Sequence, residues 1–294
     1  MNQHLAQALN GVVAVLVAPF RHGSGPFDAD RCTALTARVI GAGIPAVTAL
    51  GNTAEVYQLD GSEREAMLRA VADGSDGAVR IAGLAGSASE VLRNADLAAS
   101  LGYDAVMLHE PADPLTDDSG VRAYIIDLVE RMPLPTVLYV RSGRLITGAV
   151  AELAAHPAVV GVKYAVPDLA ALQELMSDGI DCVWVNGAAE SRVPATAGLG
   201  VRGFTSGLAN VRPDLALAVH AAARDGDAAA LAEVLEPILA FERLRNRDGG
   251  RHNVAVVKQA LRLSGFDVGD VRPPSLPAPG DEVEAIVAKL PEPA

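Results

Sequence analysis

Pro135-Thr136-Val137-Leu138-Tyr139-Val140, then the helically periodic Thr147–His156, then Ala158-Val159-Val160-Gly161-Val162-Lys163, read as one strand–helix–strand unit. Two short apolar runs separated by a helix pair in parallel, because the crossover is long enough to bring the chain back to the same edge. Neither run alternates apolar with polar residues, so both faces of each strand are buried.

The same unit recurs outward in both directions. Upstream strands are predicted at Val12–Val17, Ile44–Leu50, Val79–Leu84 and Ala105–Leu108, and downstream ones at Cys182–Val185 and Val201–Thr205. Helical periodicity fills the gaps at Ala29–Ile40, Ser62–Ala72, Ser87–Leu101, Gly120–Arg131, Asp168–Asp178, Glu190–Leu199 and Arg212–Ala223. Eight such units predict an α/β fold of the (β/α)8 TIM-barrel type. An open doubly wound sheet would place a glycine-rich phosphate turn after its first strand. Ala18-Pro19-Phe20-Arg21-His22-Gly23 lacks that spacing. Residues 1–225 are therefore read as the barrel with the catalytic site. Residues 226–294 are read as a C-terminal helical extension packed on it, with helices at Asp227–Asn246, His252–Leu263 and Asp281–Leu290.

Composition narrows the function. Of 294 residues, 50% are hydrophobic, enough for a large core and against disorder. Acidic side chains outnumber basic ones 36 to 24, a net charge of −12 that disfavours a nucleic-acid partner. No apolar run reaches the ~18 residues of a membrane span, and Met1–Asn10 lacks the basic-then-apolar pattern of a secretory leader. Cys32 and Cys182 lie far apart, so a reduced, cytoplasmic protein is expected rather than a disulfide-bonded one. The six histidines are scattered and only His109 falls near a strand end, so no metal is expected.

Lysine usage points to chemistry. The chain has three lysines, Lys163, Lys258 and Lys289, and the other 21 of its 24 basic residues are arginines. Lys163 closes strand six, at the barrel end where active sites form. An amine in apolar surroundings loses its proton readily and attacks carbonyls, which a guanidinium cannot do. The plainer reading is a strand-end lysine snorkelling to solvent. Tyr139 closes strand five, either as a proton shuttle beside such an amine or as a rim tyrosine. Arg141 and Arg144 follow it, ready to pair with a substrate carboxylate or simply solvated. After strand two, Gly51-Asn52-Thr53-Ala54-Glu55 offers a turn whose amides and side chains could hold an anion. Glu55 reads alternatively as a first-turn acid favoured by a helix dipole.

Taken in order, Gly51–Glu55, Tyr139, Gly161-Val162-Lys163 and Gly200-Val201-Arg202-Gly203-Phe204-Thr205-Ser206 resemble the dihydrodipicolinate synthase / N-acetylneuraminate lyase superfamily over residues 10–275. The resemblance implies a class I aldolase-type lyase that needs no cofactor, takes a pyruvate-like 2-oxo acid, and works as a homo-oligomer, a tetramer or dimer. It implies Lys163 as the Schiff-base former and Tyr139 as the proton shuttle. Thr53, with Gly51 and Asn52, would hold the carboxylate, and Gly203, Thr205 and Ser206 would line the floor beside the imine.

The synthase branch carries a hydroxyl where this chain has Asn52, and a glycine where it has Ala54. That branch also has a tyrosine just after strand four, where this chain reads Leu108-His109-Glu110-Pro111. His109 is either a replacement acid–base group or a plain loop histidine. Tyr139-Val140-Arg141-Ser142-Gly143-Arg144 resembles instead the 5-dehydro-4-deoxyglucarate dehydratase branch. A dehydratase or aldolase for 2-oxo-3-deoxy sugar acids is thus expected. The alternatives are a 4-hydroxy-tetrahydrodipicolinate synthase, a metal-dependent aldolase, and a non-catalytic barrel that binds 2-oxo acids.

Overall fold

Every predicted strand is present, and the eight close in sequence order into one parallel barrel. They are β1 (Val12–Val15), β2 (Ala46–Ala49), β3 (Val79–Leu84), β4 (Ala105–His109), β5 (Thr136–Val140), β6 (Val159–Tyr164), β7 (Val183–Asn186) and β8 (Gly203–Ser206). The computed structural model describes residues 2–292. Ladder pairing is shorter than the apolar runs where loops take over the backbone groups. Val17, for example, donates its N–H to Asn210 Oδ1 (3.1 Å) instead of a strand partner. The Asn210 amide also donates to the Val15 carbonyl (2.9 Å), stitching the segment after β8 onto β1 where the barrel closes.

The helices are α1 (Gln3–Leu9), α2 (Ala29–Gly41), α3 (Gly61–Gly74), α4 (Ala88–Ser100), α5 (Asp118–Arg131) and α6 (Thr147–Ala154). They continue with α7 (Leu169–Ser177), α8 (Val193–Ala197), α9 (Pro213–Asp225), α10 (Ala228–Gly250), α11 (Asn253–Leu263) and α12 (Gly280–Val287). Local chemistry sets several starts: α3 and α4 open on capping boxes, Asp60 with Glu63 and Ser87 with Glu90. The single helix expected over Glu190–Leu199 is instead a 3-10 turn (Glu190–Arg192) followed by the five-residue α8, with Pro194 in its first turn. In α10 the dihedrals turn non-helical at Arg247, Asp248 and Gly249, just past the predicted end at Asn246.

Two apolar layers result. Side chains such as Val12, Ala14, Val47, Leu138 and Val162 face the helices. Val13, Ala46, Val79, Ile81, Ala105, Met107, Val137, Val160, Val183 and Val185 fill the barrel interior. The sequence reading did not foresee α1. Its seven residues are too few to show periodicity, yet Leu5, Ala8 and Leu9 join the interior layer and plug its N-terminal end. Among the described residues, no helix is long and apolar enough to cross a membrane.

Candidate active site

A cavity of about 530 Å³ opens at the C-terminal end of the barrel. Its wall includes Lys163 from β6, Tyr139 from β5, Asn52 and Thr53 from the turn after β2, Arg141 after β5, and Thr205 from β8. Thus residues separated by up to about half the chain converge because successive strand ends meet around one ring.

The inward aim of Lys163 depends on a register shift. Thr136 of β5 pairs with Val159 of β6, but Val137 pairs with Gly161, so Val160 is an extra residue in β6. A bulge of this kind shifts the in–out alternation by one. Val160 lies in the interior layer and Val162 in the outer one, so the next residue, Lys163, points inward. Without the bulge the same run would turn Lys163 toward the helices.

Lys163 is 5% exposed, with Nζ 4.1 Å from the centroid of the Tyr139 ring. Burial, with Arg141's positive charge as a smaller cause, lowers its ammonium to about 7. Near neutrality the amine is therefore present in quantity. Lys258 is equally buried and lowered to about 8, chiefly by burial. It is committed elsewhere, 2.6 Å from Glu55 Oε1 and donating to the Asp270 carbonyl (2.9 Å). It does not line the cavity.

Tyr139 is 7% exposed, and its phenol is raised above its ordinary value by burial. The phenol oxygen accepts from Asn52 Nδ2 at 3.3 Å. His109 packs edge-on to Tyr139 (5.2 Å between centroids), and Tyr57 packs edge-on to His109 (6.2 Å). His109 is pushed down to about 3, first by burial and then by the charges of Lys163, Arg141 and Arg64. It is thus a neutral imidazole near pH 7. A side chamber of about 170 Å³ lies beside this trio, lined also by Glu110 and Arg141.

The two loop arginines differ. Arg144 lies 3.6 Å from Glu110 and donates to the Asp113 carbonyl (2.7 Å), which uses it to fasten the loops after β4 and β5 together. Glu110 also accepts from the Arg141 and Ser142 backbone N–H groups (2.6 and 3.1 Å). The Arg141 guanidinium has no protein partner among the described residues and faces both chambers.

Two expected positions lie away from the cavity wall, and Glu55, which is on it, is employed differently. Gly203 starts β8 at the far end, where a Cβ would collide with the Leu9 carbonyl oxygen, so its smallness serves the contact with α1. Ser206 is fully buried behind the wall, bonded to Glu190 and accepting from the Ala209 N–H (2.8 Å). Glu55 is no first-turn acid: it ends a 3-10 turn in the left-handed region (φ 55°) and pairs with Lys258.

Sequence reasoning missed Tyr57, Glu190 and the contribution of α10 and α11. Glu242, Arg245, Asn246 and Asn253 all line the cavity. Arg245 Nη1 lies 2.6 Å from Glu242, and a side chain on Gly207 would collide with that guanidinium, so Gly207 opens the slot by which Arg245 reaches the barrel mouth. Among the described residues, buried Asn52 Oδ1, Glu242 Oε2 and Arg245 Nε have no hydrogen-bond partner. Glu190 is raised to about 8, by burial first and by the Glu242 charge second. A Glu four residues past the end of β7 was visible in sequence, but nothing there showed it turning inward. Among the described residues, no group of three or more His, Cys, Asp or Glu is placed to hold a metal ion.

Comparison with known proteins adds to this geometry. A probable 5-dehydro-4-deoxyglucarate dehydratase of Streptomyces coelicolor is 33% identical over 269 residues, 88% of this chain and 84% of that protein. A 4-hydroxy-tetrahydrodipicolinate synthase of Mycolicibacterium paratuberculosis is 26% identical over 288 residues, 96% of this chain and 94% of that protein. The crystal structure of dihydrodipicolinate synthase from Bacillus clausii superposes with a TM-score of 0.92 at 30% identity, covering 97% of this chain and 98% of that one. The model of the dihydrodipicolinate synthetase family matches residues 8–292, and the chain belongs to that family.

Proposed function

We propose that this lyase captures a 2-oxo acid as a Schiff base on Lys163, and that its substrate is a 2-oxo-3-deoxy sugar acid, which it dehydrates or cleaves. The observation that carries the reading is a buried amine, lowered to about 7, standing over the Tyr139 ring in a cavity. The lone pair of Nζ adds to the C2 carbonyl, and loss of water leaves an iminium. Its nitrogen draws electrons from C2, so a proton leaves C3 and an enamine forms. The enamine then expels the C4 hydroxyl as water; in the aldolase outcome, loss of the C4 hydroxyl proton breaks C3–C4 and delivers the enamine directly. Tyr139, hydrogen-bonded to Asn52, is the proton carrier at the imine. Thr53 and the Gly51–Asn52 backbone hold the C1 carboxylate, aided by the amides that open the 3-10 turn without partners inside it.

Three features favour a sugar acid over aspartate semialdehyde. Asn52 and His109 stand where the synthase branch has a hydroxyl residue and a tyrosine. The unpartnered Asn52 Oδ1 and Glu242 Oε2 suit substrate hydroxyl donors. Several relatives are named probable 5-dehydro-4-deoxyglucarate dehydratases, at 33% and 32% identity in two of them. On either reading the Arg141 guanidinium, which has no protein partner among the described residues, fits a second substrate carboxylate. The synthase reading is the second one, supported by the relative at 26% identity. Exposed Leu115 and Ile146, 93% and 63% accessible on the loops after β4 and β5, favour a homo-oligomer, and the reduced cysteines fit the cytoplasm.

Borohydride reduction with pyruvate or a 2-oxo-3-deoxy sugar acid is expected to add the acid's mass less one oxygen to Lys163, because the imine forms with loss of water and is then reduced, faster as pH rises through about 7. Lys163→Ala is expected to stay folded and lose turnover. An unmodified Lys163 peptide at saturating acid would overturn the reading. A turnover panel of sugar acids, alongside pyruvate with aspartate semialdehyde, separates dehydratase, aldolase and synthase. Binding without turnover across the panel would mark a non-catalytic barrel.

A further inference from the structure

Leu50 and Glu55, neither of them glycine, both sit in the left-handed region (φ 56° and 55°), one at each end of the segment that carries Gly51, Asn52 and Thr53. Left-handed dihedrals at such residues are strained and persist only where surroundings over-determine them. At Glu55 the restraint is visible. Its carboxylate is 1% exposed, lies 2.6 Å from Lys258 Nζ on α11, and accepts from the Arg272 backbone N–H at 2.8 Å. Lys258 in turn donates to the Asp270 carbonyl (2.9 Å), and its Nζ lies 4.0 Å from the Phe20 ring centroid. The Arg272 guanidinium lies 4.0 Å from the same centroid and forks onto both Glu63 oxygens at 2.6 Å. Phe20 itself is held by Val268 through its N–H (2.9 Å).

We infer that Lys258, with Glu55 and Arg272, is a positioning device: the segment after α11 locks the turn after β2 in the strained form that binds the 2-oxo acid's carboxylate. Lys258 touches no substrate and acts through Glu55. A buried pair is weak evidence for stability, since similar-sized apolar residues often replace it without loss, whereas an orphaned partner is costly. That asymmetry lets positioning be told apart from simple support.

The inference rests on the Schiff-base reading for its kinetic effect, so two readouts are used. Lys258→Met, which leaves the buried Glu55 carboxylate without its ammonium partner, and the double variant Glu55→Gln/Lys258→Met are compared with wild type. The single variant is expected to melt lower and the double variant to recover most of the difference. Both are expected to need at least about 10-fold more pyruvate for half-maximal borohydride trapping at Lys163, with the limiting trapping rate within about 2-fold, the pattern of lost ground-state binding. In both, amide hydrogen exchange across residues 50–56 is expected to quicken without a matching change in β6. A double variant with wild-type melting, half-saturation and exchange would show a merely structural pair. If wild type traps no acid, the Schiff-base reading fails, and exchange at residues 50–56 still decides the lock.

Discussion

Lys163 and Lys258 are the same residue type, both buried, and their partners decide what each can do. Lys258 faces a carboxylate at 2.6 Å, which favours its charged form, whereas Lys163 faces an aromatic ring and the Arg141 charge, which disfavours it. Only Lys163 is free to become a nucleophile. Tyr139→Phe keeps the ring face against Lys163 and deletes the hydroxyl, so kcat is expected to fall about 10²- to 10⁴-fold while the melting temperature hardly moves; steady-state kinetics with calorimetry checks both. Glu190 offers a test of electrostatics away from the amine. Its carboxyl is raised from 4.5 to about 8, so between those pH values the folded chain binds more protons than the unfolded one, and stability falls as pH rises. Glu190→Gln removes that contribution. Its stability relative to wild type is expected to climb from pH 4.5 to 8 in urea titrations.

At the scale of elements, Lys163 was legible because a strand-end lysine in an arginine-rich chain is conspicuous. Its inward aim was not legible: the bulge at Val160 depends on pairing with β5, which no single strand reveals. Gly203 shows the reverse error. Its place in a familiar motif suggested substrate contact, yet its neighbour is the Leu9 carbonyl, and the helix that brings Leu9 there is too short to announce itself. Gly203→Ala is expected to destabilise by about 1–3 kcal/mol or more, as overpacking does where the obstacle is backbone. Pyruvate trapping at Lys163 should survive in the folded fraction. Loss of trapping with stability intact would return Gly203 to the site.

For the whole molecule, the barrel was legible because eight apolar runs repeat with helices between them. The cavity wall supplied by α10 and α11 was not. Those helices read as amphipathic packing, and Glu242, Arg245 and Asn253 are ordinary helix-surface residues until the chain folds back over the barrel mouth. The base is different. With Leu5, Ala8 and Leu9 seated in it and the interior filled by side chains, the base is closed among the described residues, and the cavity opens at the opposite end. On the proposed chemistry, product formed at Lys163 leaves through the barrel mouth that admits substrate, and the seat stays occupied until it does. Accumulated product should therefore compete with incoming acid, raising apparent KM and leaving the limiting rate untouched, and initial rates at several product concentrations would show it.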